Sequence, residues 1–97
     1  MKFPYYVYIL CNRNHTVLYV GVTNDLKDRH FEHLTKVDKR SFTAKFNVSK
    51  LVYFEGFESI TRAIRRERFL KGKTRAFKIN LITSMNPYWL DLSVEFD

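Results

Sequence analysis

YVYILCNRNHTVLYVG, Tyr6 to Gly21, decides how the rest of the chain is read. Apolar and aromatic residues dominate Tyr5 to Leu10 and again Val17 to Val22. The polar cluster Asn12-Arg13-Asn14-His15 separates the two runs, the pattern of a β-hairpin. With those four residues as the loop, Cys11 faces Thr16, and counting back along both strands sets Tyr8 directly across from Tyr19. Cross-strand neighbours have Cβ atoms roughly 4.5–5.5 Å apart, so this register brings two phenols to one spot on one face. A slip of one residue would send one of them to the other face.

Working outward, Thr23-Asn24-Asp25 offers capping side chains for a first helix over about Asp25 to Lys36. Leu26 and Val37 bracket its inward stripe with Leu34 beside it, yet the stripe also contains Arg29 and His33, four residues apart on one face. Residues 37–49 form a basic, poorly periodic segment, expected to be a loop. Lys50 to Phe57, KLVYFEGF, reads as a third strand. Glu58-Ser59 can cap a second helix from about Ile60 to Lys71, stopped by Gly72. Its apolar stripe is Ile60, Ala63, Ile64 and Leu70, and the position completing the pattern is Glu67, a carboxylate on the face turned to the sheet. Thr74 caps a third helix from Arg75 to about Ser84, with Ala76, Phe77, Leu81 and Ile82 as expected core contacts, ended by Asn86-Pro87. Tyr88, Trp89 and Leu90 are expected to dock after it. The order is β-β-α-β-α-α, a small α+β domain built on a three-stranded antiparallel sheet.

The bulk composition bounds the rest. Ninety-seven residues make one domain, spanning 1–97, with one modest core. A hydrophobic content of 45% with 28% charged residues is ordinary for a globular protein. The apolar runs fall far short of the ~18 residues of a membrane span, and Met1-Lys2-Phe3-Pro4 leads into strand-like sequence rather than a signal peptide. Cys11 is the single cysteine, so no internal disulfide and no multi-cysteine metal site is available. A reducing, cytoplasmic setting without a membrane is the expectation. Seventeen Lys+Arg against ten Asp+Glu give a net charge of +7 and a pI near 9.7, which favours a polyanionic partner, nucleic acid first.

Taken singly, the polar features have ordinary explanations. A strand tyrosine packs its ring and holds its hydroxyl at the rim. An inward arginine is half of an ion pair, for which Glu67 is an available partner, and a lone histidine is more often structural than catalytic. Together they have order and spacing. Tyr8 within VYI, Tyr19-Val20-Gly21, Arg29 with His33, and Glu67 within RRE follow the pattern of the GIY-YIG nuclease domain, and the chain resembles that family over nearly its whole length. It looks most similar to the small stand-alone bacterial GIY-YIG proteins, through KLVYFE, AIRRE, LKG and MNPYWLDL. Val7 and Val20 stand where the name-giving motif has isoleucine, and Tyr6 stands in place of its first glycine.

The resemblance implies a three-stranded antiparallel sheet with flanking helices and hydrolysis of DNA phosphodiester bonds with one divalent cation, Mg2+ or Mn2+, in a repair or recombination setting. It implies Glu67 as the metal ligand, sufficient alone because magnesium keeps several waters and shares substrate phosphate. Arg29 would hold the scissile phosphate. One of Tyr8 and Tyr19 would deprotonate or orient the attacking water and the other would orient water or phosphate. His33 would contact phosphate or shuttle a proton. A tyrosine base needs a nearby cation to favour phenolate, a role open to Arg29, the metal and Lys45. Asn86 matches an asparagine that related nucleases carry near the site, though Asn-Pro also serves as a turn.

Residues 62–78 contain eight Lys/Arg (Arg62, Arg65, Arg66, Arg68, Lys71, Lys73, Arg75 and Lys78) and one acid, Glu67. With Lys45 they are candidate contacts to the DNA backbone, or else a solvated helix face. Nothing resembles a base-reading module, so sequence specificity is expected to be low and selection by DNA structure is open. The alternative is a basic nucleic-acid-binding module that keeps the nuclease fold without turnover.

Overall fold

The computed structural model describes residues 2–26 and 48–96. Three strands, β1 (Tyr5–Cys11), β2 (Leu18–Thr23) and β3 (Lys50–Phe57), form one antiparallel sheet in the order β2-β1-β3. Helices α1 (Ile60–Lys71) and α2 (Arg75–Met85) follow, and a 3-10 turn, Leu92–Phe96, closes the described chain. The α+β class, the antiparallel sheet and the order of these elements are as the sequence implies. The expected first helix lies outside the described residues beyond Asp25 and Leu26, and so do Arg29, His33 and Lys45.

β1 is the central strand, so both its edges are paired, and with side chains packed on each face Tyr6 to Cys11 are all buried. Val7, Ile9 and Cys11 point to one face with Val20 and Val52, where α1 and α2 supply Ala63, Leu70 and Ile82. Tyr6, Tyr8 and Leu10 point to the other with Leu26, Val48 and Leu51.

The hairpin register differs from the expected one by two residues. Tyr8 pairs with Gly21 and Tyr19 with Leu10. The cause is Asn12, whose Oδ1 accepts from the backbone N–H of Thr16 at 2.8 Å and of Val17 at 3.0 Å. Its Nδ2 donates to Thr16 Oγ1 at 2.7 Å. This asparagine holds a loop reaching to Val17, with His15 in the left-handed region at φ 58, where a short polar side chain like that of Asn12 can stand in for backbone partners. A shift of two preserves facing, so Tyr8 and Tyr19 remain on the same side as diagonal rather than direct neighbours.

A bulge interrupts the pairing of β1 with β3: Ile9 opposes Tyr53, but Leu10 opposes Leu51. Val52 is the extra residue. The backbone groups freed by a bulge need other partners when buried. The chain following α2 provides them, because Asn86 Nδ2 donates to the Val52 carbonyl at 3.1 Å and Asp91 Oδ1 accepts from the Leu51 N–H at 3.4 Å.

The helix caps are those expected: Ser59 accepts from the N–H of Arg62, and Thr74 from that of Phe77. The apolar stripes are narrower than expected. Ile60, Ala76 and Phe77 are exposed, and of Tyr88, Trp89 and Leu90 only Trp89 packs against the core, while Tyr88 is 83% exposed and Leu90 also faces solvent.

Candidate active site

The tyrosine pair is the best-defined part of the site. The rings of Tyr8 and Tyr19 lie 6.2 Å apart, tilted by 41°. Tyr8 is 2% exposed, and its ring crosses to the neighbouring strand, where its hydroxyl lies against Gly21. A Cβ at that position would overlap Oη and Cζ and come within 3.0 Å of Cε1. The glycine two residues after Tyr19 thus leaves the space that the Tyr8 phenol fills.

Glu67 lies on the inward stripe of α1, one turn beyond Ala63 and three residues before Leu70, both fully buried. Its side chain is 15% exposed, with Lys71 Nζ 3.5 Å from Oε2. Adjacent residues on a helix are turned by about 100°. Arg66 therefore occupies the opposite flank of the same stripe, and it reaches β3. There its Nε and Nη2 donate to the two oxygens of Glu55 at 2.9 and 3.0 Å. α1 packs over all three strands, with Glu67 on the flank away from the Arg66–Glu55 pair. The tyrosines lie on one face of the sheet and α1 packs on the other, so the single face that Tyr8, Tyr19 and Glu67 would share as parts of one pocket is not found.

The Glu55–Arg66 pair escaped the sequence reading. Tyr53 donates its hydroxyl to Glu55 Oε2, so a phenol, a carboxylate and a guanidinium form one chain on the helix-covered face. Burial, and then the hydrogen bond to Glu55, push the Tyr53 pKa up. Glu55 in turn raises the pKa of Arg66. The available signal was the spacing of Tyr53 and Glu55, two apart in a strand and hence on one face.

The other basic residues divide. Arg62, Arg65, Arg68 and Lys73 are exposed. Lys71 is exposed too but sits beside Glu67, and Arg75 Nη2 donates to the His15 carbonyl at 2.6 Å. Arg66, expected among the DNA contacts, is instead engaged by Glu55. A shallow cavity of about 300 Å³ runs along α1 between Thr61, Ile64, Arg65 and Arg68.

Asn86 is a structural clamp. Beyond its bond to Val52, Nδ2 donates to the Leu90 carbonyl at 2.8 Å, and Oδ1 accepts from the Leu90 N–H at 3.0 Å. Both donors and the acceptor of the carboxamide are therefore used. At the hairpin tip His15 stacks on Trp89 at 4.7 Å, and its Nε2 lies 3.2 Å from Lys50 Nζ. Burial and Lys50 together lower its pKa.

Among the described residues no three His, Cys, Asp or Glu side chains converge as a metal cage, and no helix is long and apolar enough to cross a membrane.

The chain matches the GIY-YIG catalytic domain over residues 4–80. It is 39% identical over 82 residues to a UPF0213 protein of Streptococcus agalactiae, covering 84% of this chain and 91% of that one. It is 40% identical over 79 residues to a UPF0213 protein of Clostridium perfringens, covering 81% and 83%. The solution NMR structure of a UPF0213 protein from Bacillus halodurans superposes with a TM-score of 0.56 at 25% identity, covering 90% of each chain.

Proposed function

The chain belongs to the GIY-YIG catalytic domain family, and from that premise we propose that it is a DNA endonuclease that hydrolyses phosphodiester bonds with one divalent cation, Mg2+ or Mn2+. The observation that carries this reading is the convergence of Tyr8 and Tyr19 on one face, with Gly21 leaving room for the Tyr8 hydroxyl. A strand glycine covered by an aromatic ring also occurs at Gly56 under Phe3, so it is the pairing of Tyr8 with Tyr19, within a chain of this family, that supports the reading.

The donor set suits a hard cation shared with substrate. Glu67 offers a carboxylate of low exposure, and magnesium is commonly held by one or two carboxylates plus substrate phosphate, keeping its waters. The bound cation would polarise the phosphoryl oxygens and lower the pKa of a coordinated water.

The chain's own residues supply the rest. A phosphodiester lying along the outer edge of β2 meets the tyrosines from one side and the Glu67 flank of α1 from the other. One phenol orients the attacking water and takes its proton, and the second hydrogen-bonds the water or a phosphate oxygen. Arg29 neutralises charge developing on the phosphorane-like oxygens through its always-charged fork, and His33 contacts phosphate or relays the proton to the leaving oxygen. Arg65 and Arg68 hold the backbone beyond the scissile bond.

Nicking of supercoiled plasmid with added Mg2+ or Mn2+ tests the reading, with wild type beside Glu67→Ala and Tyr8→Phe. Each substitution should lower the nicking rate by at least about a hundredfold, the scale of a lost acid–base or electrostatic group. Cutting that survives both substitutions refutes it. Salt-sensitive binding of the wild type without nicking in either metal would make the chain a binding module on a nuclease fold.

A further inference from the structure

α1 ends and α2 begins with an aromatic pair that the core does not use. Phe69 is 44% exposed and Phe77 37%, their rings meeting edge to face at 5.8 Å and 77°. The turn between the helices fixes them. Gly72 N–H donates to the Arg68 carbonyl at 3.2 Å and Lys73 N–H to that of Leu70 at 3.1 Å, while Thr74 Oγ1 accepts from Phe77 N–H at 3.1 Å. Cations surround the rings: Lys73 Nζ is 4.7 Å from the Phe69 centroid and 5.5 Å from that of Phe77, and Arg66 Cζ is 5.3 Å from Phe69.

We propose that Phe69 and Phe77 form a stacking platform for an unpaired base, so that the substrate is DNA with a single-stranded segment crossing the outer face of α1. This rests on the reading of DNA as substrate and adds which form of it is held. Three observations favour this occupant. Aromatic faces beside a basic track are what binds single strands without sequence preference. The track is present, since Arg65 and Arg68 line the cavity with Thr61 and Ile64 on the turn of α1 between the Glu67 flank and Phe69. A second copy of the chain would bring like charge to a +7 molecule, and two half-exposed rings fall far below the ~1,200 Å² that a stable protein interface buries.

Lys73 does not block the platform. An exposed cation–π contact contributes about two- to fivefold in affinity, whereas a base on an aromatic ring contributes about five- to a hundredfold. A base therefore displaces the ammonium, which turns to the adjacent phosphate. Arg66 stays, because Glu55 holds it in two hydrogen bonds, and it keeps the Phe69 ring in place.

The test is fluorescence anisotropy with three labelled 20-mers: single-stranded, the same strand carrying abasic sites throughout its centre, and duplex. Wild type is compared with the double variant Phe69→Leu/Phe77→Leu, which keeps apolar bulk and removes the aromatic faces, after thermal melting shows that it folds. Wild type should bind the intact single strand at least about fivefold more tightly than the abasic one. The variant should lose that difference while its duplex affinity changes by less than about twofold. Equal binding of intact and abasic strands by wild type overturns the proposal. So does an equal loss for single strand and duplex, and so does a wild-type dimer in sedimentation that the variant abolishes. If the base-dependent difference is present but plasmid is never nicked, the nuclease reading fails and the platform stands. If plasmid is nicked without that difference, the platform fails and the nuclease stands.

Discussion

The hydroxyl of Tyr8 lies where a side chain at residue 21 would begin. A Cβ on Gly21 would overlap Oη and Cζ of Tyr8, and Tyr8, 2% exposed, has little room to withdraw. Gly21→Ala should therefore act as a mutation of Tyr8. Overpacking of this kind costs about 1–3 kcal/mol, visible as a lower urea midpoint, and the displaced phenol should take nicking down with it. Tyr8→Phe is the complement, keeping the ring and stability within about 1 kcal/mol while losing the hydroxyl. Normal nicking by a folded Gly21→Ala protein would show that the placement of Tyr8 is only packing.

Much of this arrangement was legible in the sequence because strand facing depends on parity. The polar run after Cys11 marks the hairpin, and a loop two residues longer at its far end still leaves Tyr8 and Tyr19 on one face. The pairing itself was not legible, since it rests on how many backbone groups the Asn12 side chain collects. Glu67 stood out as the polar break in an apolar stripe, and its low exposure agrees. In the sequence Arg66 looks like one more surface cation, because its partner Glu55 sits on a strand eleven residues away and only the packing of α1 brings the two together. Ile60 and Phe77 fall on core positions of the pattern but are exposed, because helical periodicity marks an apolar position without showing whether anything covers it.

The basic residues of α1 should separate into two classes. Arg66→Ala leaves Glu55 and Tyr53 without their guanidinium on a face where the pair is 28% and 20% exposed, a loss of about 1–2 kcal/mol after allowance for solvent screening. It should change the salt dependence of DNA binding little. Arg65→Ala and Arg68→Ala should each change stability by less than about 0.5 kcal/mol and lower the slope of log affinity against log salt by about one. For wild type, about six phosphate contacts would mean a roughly thousandfold loss of affinity between 50 and 200 mM salt. A reversed pattern, with Arg66 setting the slope, would mean that Glu55 releases it to DNA.

Asn86 tests whether a residue suggested by resemblance is working in the fold instead. Its carboxamide satisfies the bulge carbonyl of Val52 and both backbone groups of Leu90. Asn86→Ala should cost about 2–3 kcal/mol by leaving those groups unpaired in a buried position. In a domain of this size that lowers the melting temperature by roughly 10–20 °C. Nicking measured well below the new melting point should stay near wild type. Unchanged stability with lost nicking would return Asn86 to the active site.

Cys11 gives the fold an alkaline limit. Its side chain is fully buried beside Ile9 and Val52, and burial pushes the thiol up from 9.0 to about 11, with Lys50 pulling it down and Asp91 pushing it up. The folded state therefore holds the proton more firmly than the unfolded chain. Stability from this group is complete below pH 9 and is lost as pH rises toward 11, by about 1 kcal/mol between pH 9 and 10. Tyr53, whose pKa burial and Glu55 also raise, adds a loss of the same sign beginning above its ordinary value of 10. Urea midpoints from pH 7 to 10 should fall above pH 9 in wild type and fall less in Cys11→Ala, where only the other groups titrate. In the native protein the thiol should also react with disulfide reagents far more slowly than in the unfolded chain. Parallel midpoint curves for the two proteins would show that Cys11 titrates alike in both states, and fast modification of native protein would place the thiol within reach of solvent.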